Sequence, residues 1–166
     1  MMIEPTRLGE HLARLVWESF TDFLEAGTGP DHIGYGADLT TPDLDPEELL
    51  ILFLWVHTRT CQQVFAQSPE QLRKTLDALH RAVFEDMEAH GMPYAEIALF
   101  EQRVSARYNE YYGAVDGENG DFGSLAAERV SGKRRPELPF KLALAEATLR
   151  AADPLRDYLN DLVLIA

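Results

Sequence analysis

The segment from Leu49 to Val56 constrains the fold most, because its eight consecutive residues are all apolar and leave no polar face. It follows Asp45-Pro46-Glu47-Glu48, a helix-start pattern in which Asp45 is the N-cap, proline takes the first position and Glu48 completes a capping box. A surface helix shows one apolar stripe, whereas a helix that is apolar on every side is surrounded by other elements. We therefore expect helix two to be the central helix of a bundle.

Apolar residues at helical spacing predict further helices on both sides of this segment. Helix one ends at Gly27, and a connection rich in Gly, Pro, Asp and Thr leads from there to Asp45. Helix two is expected to run to about Gln67, and Ser68-Pro69 starts helix three directly after it. So short a link between two helices predicts an antiparallel hairpin.

The second half of the chain continues the helical pattern without strand alternation. Helix four opens at Pro93, a short helix covers residues 124–130, and Pro154 separates the two last helices. The apolar ending 162–166 is expected to pack in the core or against another subunit, which would give a homodimer. The predicted fold is all-α: a single domain, residues 1–166, forming a bundle of six or seven helices with a long irregular loop between helices one and two.

Composition excludes several function classes. The net charge of -13 argues against nucleic-acid binding, which needs a basic surface. The apolar run at Leu49 is too short to span a membrane, which takes about 20 residues, and residues 1–5 carry no basic segment of a secretory signal. Cys61 is the only cysteine, so a disulfide framework is excluded and a cytoplasmic location is expected. No phosphate loop or dinucleotide motif is present, and no organic cofactor is expected.

The stretch from Gly27 to Thr58 contains no Lys or Arg, and Asp38 and Asp43 belong to the acidic cluster in its first part. Such a surface would attract a basic partner. The alternative is that these acids keep a loop solvated and complement the dipole of helix two. A basic patch at Arg129 and 133–135 is a candidate to pair with the acidic stretch.

One set of side chains has the chemistry of a metal site. If helices two and three form a hairpin about residues 67 and 68, His57 lies within a turn of Asp77 and His80, and Cys61 lies one turn from His57. Imidazole, thiolate and carboxylate all bind zinc or iron. The competing interpretation is that His57 and His80 are histidines of the core with satisfied hydrogen bonds.

Helix four combines large aromatic rings with hydrogen-bonding and charged groups, which suits a surface that recognises a partner protein. Tyrosines at helical spacing are also common at the edge of a core, and that alternative stays open. The candidate partner-binding residues of this helix are Arg103, Arg107, Tyr108, Tyr111 and Tyr112.

The stretch from Arg103 to Val115, in which a basic helical segment leads into Tyr111-Tyr112-Gly113, resembles the ubiquinol-cytochrome c chaperone family. The acidic helix segment 84–88 and the later segment 124–132 are loosely similar to the same family, so that the resemblance covers about the middle third of the chain. It implies a non-enzymatic helical chaperone that engages a partner protein through the Tyr111-Tyr112 region.

Three functions follow as hypotheses. The first is a non-catalytic interaction protein of the assembly-chaperone or adaptor type. The second is an immunity-type inhibitor whose acidic stretch 31–48 covers a basic toxin or nuclease. The third is a metal-dependent enzyme centred on His57 and His80.

Overall fold

The computed structural model describes residues 1–26, 44–117 and 121–165, and within them the chain is an all-α bundle, as predicted. The predicted irregular loop after helix one, with Asp38 and Asp43, lies outside the described residues. The described elements are, in chain order, β1 (Met2–Ile3), α1 (Pro5–Ala26), α2 (Pro46–Val64), α3 (Pro69–Ala89), α4 (Tyr94–Asp116), α5 (Phe122–Ser131), α6 (Leu138–Asn160) and β2 (Val163–Leu164).

Helix α2 is the centre of the bundle. Its residues from 48 to 58 are all buried, and the other five described helices pack around it. The carboxylate of Asp45 caps its start by accepting hydrogen bonds from the backbone N–H groups of Glu47 (3.0 Å) and Glu48 (3.3 Å). The predicted capping box does not form, because Asp45 donates its own N–H to the Val130 carbonyl at 2.8 Å and Glu48 faces arginines of α4. No described helix is long and apolar enough to cross a membrane.

The main partner of α3 is α1 rather than α2, which corrects the expected hairpin. Gly9 explains the close approach. A Cβ atom at this position would lie 2.5 Å from the Thr75 carbonyl oxygen and 2.6 Å from the Ala78 Cβ atom, so only glycine lets the two backbones come this near. The rotation of α3 about its axis is therefore set by α1.

Three predicted helix boundaries need correction. Helix α2 ends at Val64 instead of Gln67, and α4 begins at Tyr94, with Pro93 preceding it as the N-cap residue. Pro154 lies inside one continuous helix, α6, where two helices were expected. Proline removes one backbone hydrogen bond of a helix. Pro154 and Arg150, whose carbonyl loses its partner, are both exposed, so the free carbonyl lies on the outer face of the helix, while Leu155 and Leu159 remain buried beyond it.

The two ends of the described chain meet in a parallel pair of strands, in which Met2 is opposite Val163 and Ile3 is opposite Leu164. The sequence pattern did not predict this pair. Its hydrogen bonds run from the Val163 N–H to the Met1 carbonyl (2.8 Å) and from the Ile165 N–H to the Ile3 carbonyl (3.1 Å). Leu162 is buried, so the apolar ending is partly absorbed by the core, while Val163 stays exposed.

Candidate functional site

Helices α2, α3 and α4 enclose an open groove at the point where Tyr108 meets His80. The His80 Nδ1 atom lies 2.7 Å from the Leu76 carbonyl, which can only accept, so Nδ1 carries the proton and Nε2 is the acceptor of the neutral ring. The Tyr108 hydroxyl donates to that Nε2 atom at 2.8 Å. Its oxygen is then free to accept from the Thr58 hydroxyl at 3.4 Å. One directed chain of hydrogen bonds thus joins the three helices.

We call this feature the His80 groove. It has a volume of about 570 Å³. Tyr112 forms part of its wall and donates a hydrogen bond of 2.5 Å to the Gln62 side-chain oxygen. Asp77 and Arg81 are exposed and place opposite charges at its rim, where Asp77 also pairs with Arg73 at 3.1 Å. The residues that line the groove are Thr58, Gln62, Leu76, Asp77, His80, Arg81, Phe84, Tyr108 and Tyr112.

Burial keeps the hydrogen-bond chain uncharged. It lowers the pKa of His80, although the Leu76 carbonyl and the charge of Asp77 oppose the shift. It also raises the pKa of the Tyr108 hydroxyl, with the Thr58 hydrogen bond acting in the other direction. At neutral pH the imidazole is therefore an acceptor whose lone pair is occupied by Tyr108. The groove offers fixed polar atoms and aromatic surface rather than a free base.

The four predicted metal ligands do not come together. His57 is buried and its Nδ1 atom donates to the Phe53 carbonyl of its own helix at 2.7 Å. Burial lowers the pKa of His57 to about 4 and raises the pKa of the Cys61 thiol to about 12. Only Asp77 and His80 reach the groove. Among the described residues, no three His, Cys, Asp or Glu side chains are placed to hold one metal ion, because α3 takes its rotation from α1.

Arg103 and Arg107 form ion pairs with acidic residues of the same chain. Arg103 donates to Asp45 (2.6 Å), Glu47 (2.8 Å) and Glu48 (2.8 Å). Arg107 donates from Nε to both oxygens of Glu48, at 2.8 and 2.9 Å. Burial disfavours their charge, but the hydrogen bonds and charges of the neighbouring acids outweigh it and raise the pKa of both guanidinium groups. These arginines hold α4 against the start of α2.

Glu110 extends this cluster to α5. It accepts from Arg107 at 3.2 Å and from Arg129 at 2.9 and 3.0 Å. Arg129, from the basic patch predicted there, therefore forms an ion pair with α4, while the loop part of the acidic stretch lies outside the described residues. We call the whole set the Glu48 network: Asp45, Glu47, Glu48, Arg103, Arg107, Glu110 and Arg129.

Tyr111 belongs to the core and not to a recognition surface, because its side chain is fully buried. Its ring lies edge-on to Trp55, with 5.5 Å between centroids, and to Phe122 at 5.4 Å. The Tyr111 hydroxyl and the Trp55 Nε1 atom have no hydrogen-bond partner among the described residues. Of the predicted recognition tyrosines, Tyr108 and Tyr112 line the groove and Tyr111 does not.

Sequence reasoning missed the α2 side of the groove. Thr58 and Gln62 are one turn apart in the last part of α2, directly after its apolar run, and this change to polar residues was a usable signal. Phe84 follows His80 by one turn on α3 and contributes an apolar wall. Their joint contact with α4 depends on helix rotations that no local pattern specifies.

Comparison of the chain with family models, curated proteins and solved structures found no match.

Proposed function

We propose that this chain is a non-catalytic interaction protein of the chaperone or adaptor type, and that it binds a segment of a partner protein in the His80 groove. The observation that carries the proposal is the groove itself, where aromatic side chains, fixed polar atoms and charges of both signs share one open surface. Tyrosine is enriched at the centres of protein interfaces because it combines large contact area with a hydrogen-bonding group.

The groove is also held in place before any partner arrives. Tyr108 and Tyr112 each donate a hydrogen bond to a side chain of a neighbouring helix, at 2.8 and 2.5 Å. Ordering a mobile side chain costs about 0.5–1.5 kcal/mol on binding. Two aromatic rings that are already fixed avoid much of this cost, which favours recognition by the existing surface.

The resemblance of residues 103–115 to the ubiquinol-cytochrome c chaperone family supports the same role. Within that stretch the proposal assigns partner contact to Tyr108 and Tyr112, since Tyr111 is buried. The immunity-type alternative gains no support from Asp45, Glu47 or Glu48, because Arg103 pairs with these acids inside the chain. The protein partner, a homodimer and a cytoplasmic location all remain predictions.

Site-specific photocrosslinking tests the proposal. A benzophenone amino acid replaces Arg81 at the groove rim, and in a second variant it replaces Gln102, which is exposed on α4 away from the groove. We expect the position-81 variant to give one crosslinked partner in cells of the source organism. The position-102 variant should give none.

The crosslinked protein is then purified and its affinity measured by calorimetry. Tyr112→Ala in the groove should weaken binding about tenfold or more, as expected when an aromatic residue at an interface centre is truncated. Tyr94→Ala serves as control, because Tyr94 is 81% exposed and lies outside the groove. Equal crosslinking from both positions, or equal loss in both tyrosine variants, would contradict the proposal.

A further inference from the structure

A second cavity lies where the end of α1, the start of α2 and the end of α3 meet. We call it the Trp17 pocket, and its volume is about 620 Å³. Small-molecule sites in proteins typically occupy about 300–1,000 Å³ and are mostly apolar with a few polar groups. The apolar walls are Trp17, Phe20, Leu50, Met87 and Met92.

The two carboxylates at this pocket, Glu47 and Asp86, differ in whether a basic side chain pairs with them. Glu47 accepts a hydrogen bond from Arg103 at 2.8 Å and is a member of the Glu48 network. Asp86 has no basic partner among the described residues, and its Oδ2 atom accepts from the Trp17 indole N–H at 3.0 Å. No Lys or Arg belongs to the described lining. The indole fixes the carboxylate beside the apolar walls without neutralising it.

His90 does not supply that missing charge through direct contact. Its Nδ1 atom donates to the backbone carbonyl of Asp86 at 2.6 Å and not to the carboxylate. The walls themselves favour a cation as well, because the face of an indole ring attracts ammonium groups. Met87 and Met92 add polarizable side chains that adapt to the shape of an apolar ligand.

We propose that the Trp17 pocket binds a small organic ammonium ion, with its apolar body against Trp17 and Phe20 and its charge paired with Asp86. An anion would place its charge beside an uncompensated carboxylate, and a neutral ligand would leave that carboxylate unpaired. The pocket is distinct from the His80 groove, because the end of α3 contributes Asp86 and Met87 here, followed by His90, whereas the earlier positions 76–84 line the groove.

The test compares three probes with one apolar body: 4-phenylbutylamine, 4-phenylbutanol and 4-phenylbutyrate. Binding is measured by calorimetry, and the Trp17 indole N–H resonance is followed by NMR. The chain has two tryptophans, so Trp55→Phe assigns the two indole signals. We expect the amine to bind about tenfold or more tighter than the alcohol, a difference typical of one hydrogen bond to a charged group, and to move the Trp17 signal. The butyrate should not bind.

Asp86→Asn is the decisive variant, because asparagine keeps an acceptor for the Trp17 indole and removes the charge. The amine should lose about tenfold in affinity and bind no better than the alcohol. Asp77→Asn on the same helix is the matched control and should bind the amine like the wild type. Thr21→Phe, at an exposed lining position, should block all probes without touching the core. Equal affinity for amine and alcohol, an unchanged Asp86→Asn variant, or no binding of any probe would overturn the proposal.

Discussion

The Glu48 network and the hydrogen-bond chain of the His80 groove both include residues of α4, yet they use polar groups in opposite ways. In the network, arginines and carboxylates pair with one another, and Glu48 is only 2% exposed. In the groove, neutral groups of three helices bond in series beside open surface. A dense polar cluster is therefore no sign of binding capacity by itself. In both places the polar groups satisfy one another and hold helices together, but only in the groove do they leave aromatic surface open beside them.

Glu48→Gln should have the largest effect on folding. The change removes the most buried partner of Arg103 and Arg107, which keep Asp45, Glu47 and Glu110 as weaker partners, and losing hydrogen bonds to a charged group costs about 1.5–3 kcal/mol. Urea unfolding followed by circular dichroism measures the loss. Glu70→Gln is the control, because Glu70 forms only an exposed pair with Lys74 and should change stability by less than about 0.5 kcal/mol. Equal effects of the two variants would show that the network does not hold α2 and α4 together.

Lowering the pH should reveal how much the buried, neutral His57 contributes to stability. The folded state holds His57 neutral with a pKa of about 4, whereas the unfolded chain binds a proton near pH 6.5. The stability from this burial is complete above pH 6.5 and is lost as the pH falls toward 4, by up to about 1.4 kcal/mol per pH unit. His57→Gln should flatten that part of the stability curve and leave the slope above pH 7.5 unchanged. If the curves of stability against pH for His57→Gln and the wild type were parallel over the whole range, this pH dependence could not be assigned to His57.

Tyr108→Phe should destabilise the protein by about 1 kcal/mol. The variant keeps the ring but leaves the His80 Nε2 atom without its donor, at the typical cost of one lost hydrogen bond. Thermal or urea unfolding gives the difference. Tyr94→Phe removes a hydroxyl from a side chain that is 81% exposed and should be neutral. A Tyr108→Phe variant as stable as the wild type would mean that the hydrogen-bond chain through Tyr108 does not stiffen the groove.

Asp77→Asn should have the smallest effect, below about 0.5 kcal/mol, because an exposed ion pair one turn apart contributes little. Its unfolding curve should overlay that of Glu146→Gln, which breaks a comparable exposed pair with Arg150 on α6. A loss above about 1 kcal/mol would place Asp77 with the network residues rather than at an open rim.

The parts of the fold that depend on local pattern were predictable. The run at Leu49 predicted the central helix of the bundle, and α2 is that helix, buried at every position from 48 to 58. The packing of α3 was not predictable, because one atom decides it: the missing Cβ of Gly9 lets α1 and α3 approach closely. Likewise, proline commonly ends a helix, but α6 continues through Pro154, which lies at an exposed position that the sequence pattern did not reveal.

The candidate sites show the same division. The mixture of aromatic and hydrogen-bonding residues on helix four pointed to Tyr108 and Tyr112, and both line the groove. His80 and Asp77 were predicted to lie close together, and both line it as well. The pairing of His57 with His80 failed because it assumed a helix rotation. Trp17 and Asp86 are 69 positions apart in the chain, and no local pattern connects them.

The parallel pairing of β1 with β2 has a mechanical consequence. In a parallel pair, the first residue of one strand and the last residue of the other lie at opposite ends. A force that pulls Met1 away from Ile165 therefore slides the strands along each other. Their hydrogen bonds share that load and must fail together, instead of opening one at a time like a zipper.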